Sequence, residues 1–333
     1  MSDKVLIDIF NIGIKDKKKD AVCFKLPELS KVAVMSTKNK YAAAPVILSK
    51  YNGSKFNPKY ILVNSGNANA CTGTIGMSNA IKCTKSISKK FNCLKENVLL
   101  SSTGIIGRQL PIDKMIKAIK DHDFKFKSTW KQAASAIMTT DKFSKHITRS
   151  FLLNKIKITI NAVCKGAGMI EPNMATMLSF ISINVDLKKS LLLKILKKAV
   201  NSSFNTISVD GDMSTNDTVM LISTGENKEF NFSANTKILK ILENEITNVC
   251  HDLSKMIIED GEGATKIIKI TVHKSYNSSQ AKKIAYSLAN SNLIKTAMHG
   301  ADPNWGRIIA RLGSINNINY DENKVSLKIN NQI

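Results

Sequence analysis

Two hydrophobic periods alternate along this chain. YILVNSG (60–66) is a short apolar run that stops at a glycine, the pattern of a buried strand ending in a turn. GMSNAIKCTKSISKKF (76–91) places Met77, Ala80, Ile81, Ile87 and Phe91 at helical spacing. NVLLSSTGIIG (97–107) predicts a second strand entering a glycine-bounded loop. PIDKMIKAIK (111–120) predicts a helix whose first turn accommodates Pro111. Between 151 and 185 the period shortens, and FLLNKIKITINAV and TMLSFISINV predict strands. Helical spacing returns over about 187–203 and 235–259, followed by a strand over 265–272 (TKIIKITV) and a helix over 279–290. Strands in the middle with helices between and after them predict an α/β protein, α+β or layered, with sheets covered by helices.

A chain of 333 residues is long enough for one large domain or two, and 43% hydrophobic content is that of a globular protein. Aromatics make up only 6%, so Ile, Leu, Val and Met must fill most of the core. A formal net charge of +23 brings nucleic acid to mind first. The lysines are dispersed, however, as in Lys82, Lys85, Lys89 and Lys90, and the one dense run, Lys17–Lys19, is flanked by Asp16 and Asp20. That pattern favours a solvated lysine surface over a nucleic-acid groove. The six cysteines (23, 71, 83, 93, 164 and 250) form no CxxC pair and the histidines no HExxH, so they read as reduced, mostly buried thiols, with no metal site. VLIDIF is too short for a signal-peptide core and is broken by Asp8, and no apolar run reaches membrane-spanning length. A cytoplasmic protein is expected, with neither membrane nor nucleic acid as partner.

Five loops combine glycine with small polar residues: NSGNANACTG (64–73), SSTGIIG (101–107), CKGAGMIEP (164–172), VDGDMSTND (209–217) and EDGEGATK (259–266). Each alone reads as a tight turn. EDGEGATK lacks the P-loop frame, and no GxGxxG opens a helix, so nucleotide binding is unsupported. The pair Thr103-Gly104 can offer a hydroxyl and an amide to a developing oxyanion, where one fixed donor contributes roughly 3–4 kcal/mol. In MIEPNMATMLSF (169–180), Thr176 follows Ala175 at the head of an apolar run. One reading is a small polar residue in a buried strand. The other is a chain cut between the two residues. Thr176 would then gain a free α-amine, with a pKa near neutrality, as base for its own hydroxyl.

The loops taken together resemble the ornithine acetyltransferase family, bifunctional glutamate N-acetyltransferases of arginine biosynthesis. AAAPV (42–46), LVNSGNANACTG, SSTGIIG, AIMTTD (136–141), KGAGMIEPNMATML (165–178), SVDGDMSTNDTV (208–219), DGEGATK (260–266) and GADPNWGRI (300–308) look like that family's blocks, in the same order. The likeness runs from about Gly13 to about Ile329. It implies an αββα sandwich resembling N-terminal-nucleophile hydrolases. It also implies a proenzyme that cuts itself between Ala175 and Thr176, giving an alpha chain, 1–175, and a beta chain, 176–333, that assemble as a heterotetramer.

Carried over by motif, Thr176 is the nucleophile, Thr103 and Gly104 form the oxyanion hole, and Thr139, Lys165, Thr176 and Glu262 contact substrate. The cation of Lys165 suits a substrate carboxylate, and the carboxylate of Glu262 a substrate ammonium. The implied reaction moves an acetyl group from N-acetylornithine to Thr176 and then to glutamate, with no metal or bound cofactor. Some family members also accept acetyl-CoA as donor. Three departures stand out: Met213 replaces the usual Thr, the positive charge is atypical, and the sequence stops at VSLKINNQI. Family members continue there, with an Asn and a Thr or Ser that complete the substrate site. Two other functions fit the residues: an amidohydrolase or aminopeptidase on the same scaffold, and an inactive basic protein that binds RNA or acidic partners.

Overall fold

The computed structural model describes residues 4–16, 18–171, 177–228, 230–232, 235–318 and 320–330. Its centre is a pair of sheets. Sheet A holds β1 (Leu6–Phe10), β2 (Ala21–Lys25), β4 (Tyr60–Asn67) and β5 (Val98–Ile105), in the order β1-β2-β4-β5. Sheet B holds β3 (Lys31–Ser36), β6 (Lys145–Leu153), β7 (Ile156–Lys165), β8 (Leu178–Ile183) and β9 (Thr218–Ser223), in the order β3-β9-β8-β7-β6. The pairs β4/β5 and β8/β9 are parallel and the others antiparallel.

The two-residue period of the strands sorts their side chains into layers. Ile61 and Val63 of β4, Val22 and Phe24 of β2, Leu178 and Phe180 of β8, and Met220 and Ile222 of β9 meet between the sheets. The tilted rings of Phe24 and Phe180, 5.1 Å apart, join one sheet to the other. The alternate residues face outward: Tyr60, Leu62 and Cys23 toward α2 (Gly73–Phe91) and α3 (Ile112–Asp121), and Ile181, Ile183 and Leu221 toward α5 (Lys189–Ser202) and α6 (Thr236–Glu259). These four layers are the expected αββα sandwich. The central strands β8 and β9 are buried at every position, which explains their continuous apolar runs.

Two further helices close the sides. α1 (Ala44–Lys55) lies along β3 and β5, where Gly53 allows a close approach: a Cβ there would stand 2.8 Å from Cγ2 of Val34. α4 (Trp130–Ile137) packs Ala133, Ala134 and Ile137 into the layer between the sheets. A smaller cluster at the C-terminal end joins α7 (Ser278–Ala289), α8 (Asn292–His299) and α9 (Trp305–Gly313) through Ile284, Leu288, Ile294 and Ile315.

One predicted element is corrected. Residues 265–272 form no strand. Ile270 and Val272 pack on the α7–α9 cluster, while Ile267 and Ile268 stay exposed. The alternation is present, but the segment lies against helices and has no ladder partner among the described residues. Pro111 stands one residue ahead of α3, as its N-cap. Cys23, Cys83, Cys164 and Cys250 are buried as expected, whereas Cys71 is exposed. No described helix is long and apolar enough to cross a membrane.

The sheet-to-sheet layer makes Phe180→Ala a direct test of the sandwich. The variant should lose about 3–5 kcal/mol of stability. In urea unfolding, the midpoint should fall with the slope unchanged.

Candidate active site

The sheets end together at one side of the sandwich, and the glycine loops gather there. Thr103 and Gly104 lie near the end of β5, and Lys165 is the last residue of β7. Thr139 follows α4, and Glu262 follows α6. Ala175 and Thr176 lie outside the described residues. Lys165 Nζ donates to Thr139 Oγ1 at 2.8 Å and to Thr103 Oγ1 at 3.2 Å. Two threonines that are far apart in sequence thus converge on one ammonium group. Glu262 joins their rim: its backbone N–H donates to Ala167 O at 2.8 Å, and its carboxylate lies against Gly168, where a Cβ would stand 2.7 Å from it.

Gly104 is demanded by the backbone. Its φ is +129°, and a Cβ would stand 2.3 Å from the carbonyl carbon of Gly66 on β4. Any side chain there would force the parallel strands apart beside Thr103. The asparagines of NSGNANACTG serve architecture. Asn64 Nδ2 donates to Asn67 O at 2.8 Å, and Asn69 Nδ2 to Gly76 O at 3.0 Å. From the other sheet's side, Asn216 Nδ2 donates to Ala68 O at 2.7 Å and to Ser102 O at 2.8 Å, binding the loop before β9 to the ends of β4 and β5.

Beneath Lys165 lies Asp141, the last residue of AIMTTD. Its carboxylate accepts Gly166 N–H at 2.8 Å and Thr139 N–H at 2.9 Å, and stands 3.9 Å from Lys165 Nζ. Burial pushes this carboxyl upward, but Lys165 and Lys145 outweigh it and hold it below the usual carboxylate range. Burial lowers Lys165 from the usual lysine range, with Asp141 pulling back and Lys145 adding to the fall. Lys15, also missed in the sequence reading, donates from Nζ to Ala136 O at 3.2 Å and Met138 O at 3.1 Å. It thereby satisfies carbonyls at the C-terminal end of α4 and fixes the turn that carries Thr139.

The block SVDGDMSTND grips the chain on both sides of residues 172–176. Upstream, the Asp210 carboxylate accepts the N–H groups of Met169 at 2.5 Å and Ile170 at 2.9 Å. Glu171 is held by Ser208 Oγ at 2.8 Å and by Asn290 Nδ2 at 2.9 Å, just beyond α7. Downstream, Asp217 Oδ1 accepts Met177 N–H at 2.9 Å, and Thr218 N–H donates to Met177 O at 3.1 Å. Asp217 is wholly buried, and its Oδ2 has no hydrogen-bond partner among the described residues.

Burial pushes the Asp217 carboxyl well above the usual range, against the Met177 amide and the Lys165 cation. A carboxyl raised on folding gives stability that is complete below its unfolded pKa, about 3.9, and is lost as pH rises toward the folded value. Asparagine does not ionise. The melting temperature of Asp217→Asn should therefore gain on that of the parent as pH rises from acid toward neutral. A difference that stays constant with pH would mean that Asp217 ionises as freely as in the unfolded chain.

The sequence profile of the ArgJ family matches residues 6–333. The chain is 40% identical over 316 residues to the arginine biosynthesis bifunctional protein ArgJ of Caldanaerobacter subterraneus subsp. tengcongensis, covering 95% of this chain and 78% of that one. It is 42% identical over 313 residues to the protein of the same name from Dehalococcoides mccartyi, covering 90% and 75%. Among solved structures, it is similar to the arginine biosynthesis bifunctional protein ArgJ of Bacillus halodurans, with 32% identity and a TM-score of 0.47 over 51% of this chain and 91% of that one. Matched along nearly its whole length, the chain belongs to the ArgJ family.

Proposed function

We propose that this chain is a self-cleaving acyltransferase of arginine biosynthesis that carries an acetyl group on Thr176. The observation that carries this reading is the convergence of Thr103 and Thr139 on the Lys165 ammonium, beside the strand that begins two residues after Thr176. Family membership, and relatives named for arginine biosynthesis, support it from outside the site.

The chemistry has two stages. In maturation, the Thr176 hydroxyl attacks the Ala175 carbonyl. The Ala175–Thr176 amide becomes an ester, and water releases residues 1–175. The freed α-amine of Thr176 then serves as base for its own hydroxyl. In turnover, that hydroxyl attacks the acetyl carbonyl of N-acetylornithine. The hydroxyl of Thr103 and the amide of Gly104 face the oxyanion, and ornithine leaves with the proton. The glutamate amine next attacks acetyl-Thr176, giving N-acetylglutamate and regenerating the hydroxyl. Lys165 pairs with the carboxylate of the bound amino acid, and Glu262 with its ammonium. Small amino-acid derivatives are the substrates, with acetyl-CoA as an alternative donor. These steps need no metal or bound cofactor. The 1–175 and 176–333 chains assemble as a heterotetramer.

N-terminal sequencing of the purified protein should return a second chain beginning at Thr176, and Thr176→Ala should remain one uncut polypeptide. Acetyl transfer by that variant should fall at least about a thousandfold. An intact parent chain that still transfers acetyl would overturn the maturation step. Ornithine release at a rate indifferent to glutamate would identify a hydrolase instead.

A further inference from the structure

Lys145 is the least expected charge in the molecule. It opens β6, an edge strand of sheet B, yet its side chain is fully buried. Its Nζ donates to Asp141 Oδ1 at 2.7 Å and to Asp260 Oδ2 at 2.5 Å, with the ring of Phe143 4.9 Å away. Both carboxylates are wholly buried too. Burying three charges is costly unless each is paired and hydrogen-bonded, so such a cluster needs a reason beyond stability.

Its partners supply the reason, because each carboxylate reaches a different part of the candidate site. Asp141 accepts the N–H groups of Thr139 and Gly166, which fixes the turn bearing Thr139 and the residue after Lys165. Asp260 caps the end of α6 two residues before Glu262, and accepts Lys142 N–H through both oxygens, at 3.0 and 3.1 Å. Among the described residues, Lys145 is the only side chain that bonds to both. Asp141 also stands 3.9 Å from Lys165, close enough to draw that ammonium away from the two threonines if nothing else neutralised it.

We infer that Lys145 is a positioning residue of this site: it locks the Thr139 turn, Lys165 and the Glu262 end of α6 into one frame, and by occupying Asp141 it leaves the Lys165 ammonium to the hydroxyls of Thr103 and Thr139. The inference rests on the acetyl-transfer reading for its effect on turnover, and on the geometry alone for its effect on Lys165. Lys145 touches no substrate group. Its influence passes through Asp141 and Asp260.

The test uses a charge-balanced pair of substitutions, because Lys145→Met alone would strand two buried carboxylates. Lys145→Met with Asp260→Asn removes one positive and one negative charge, leaving Asp141 to pair with Lys165. The full chain carrying both changes is compared with the parent in two ways. The first is kcat and KM for acetyl transfer from N-acetylornithine to glutamate, with the extent of maturation followed by intact mass. The second is reductive methylation of Lys165 by formaldehyde with cyanoborohydride as the hydride donor, followed by mass spectrometry from neutral to alkaline pH. Lys165 faces Asp141, Lys145, Asp217 and Glu262 electrostatically, so removing the Lys145 cation removes one influence that lowers it.

The paired variant should fold, lose about tenfold or more in kcat/KM mainly through a higher KM, and begin to methylate at Lys165 only at higher pH. Arg149→Met, which breaks the pairs to Glu245 and Asp252 farther along the same strand, should leave both readouts unchanged. A folded paired variant with parental kcat/KM and a parental methylation profile would overturn the inference. So would failure of that variant to fold, since it would make Lys145 a structural residue. Absence of acetyl transfer in the parent would overturn the functional reading instead, and methylation would still decide the role of Lys145.

Discussion

The apolar layer between the two sheets is the constraint on which the rest depends. Val22, Phe24, Ile61 and Val63 on one side, and Leu178, Phe180, Met220 and Ile222 on the other, fix how the sheets lie against each other. A polar pair such as Lys165 and Thr103 lacks the energy to orient two sheets, and here it does not need to. The layer brings the end of β5 over the end of β7, and a 3.2 Å hydrogen bond then forms between groups that the backbone has already aligned.

Around that contact, charge is buried in a balanced set. Asp141 and Asp260 face Lys145 and Lys165, two carboxylates against two ammonium groups, and each carboxylate also accepts backbone amides. Burial lowers Lys165 from the usual lysine range, and the Asp141 carboxylate in this set pulls it back. Asp217 works differently. Its one backbone donor is the Met177 amide, and burial raises its carboxyl well above the usual carboxylate range.

Much of this was legible in the sequence where one physical signal acted alone. The helical stripe of α2, the strand β7 and the apolar run of β8 each follow a clear period. Less was legible where tertiary packing overrode local preference. α1 contains two poor helix formers: Gly53, where the space against Val34 admits no side chain, and Asn52, whose Nδ2 donates to Val98 O at 3.1 Å. The segment 265–272 has a strand's alternation without a strand's neighbour. At the site, the family resemblance singled out Thr103, Thr139, Lys165 and Glu262, and all four lie together. Lys145 escaped notice because DKFSKH reads as a solvated turn in a lysine-rich chain. Its two carboxylates lie 4 and 115 residues away, and only folding brings them to it.

The strand order of sheet B sets the timing of events during synthesis. β3, β6 and β7 precede residue 172, while β8 and β9 follow residue 176, and the later pair is inserted between β3 and β7. As the chain leaves the ribosome, β3 has no ladder partner until β9 emerges, so the sheet is sealed only when both halves are present. The cut proposed between Ala175 and Thr176 would therefore come after folding. The two pieces would then be laced together along the β3/β9 and β7/β8 ladders, and could part only by unravelling.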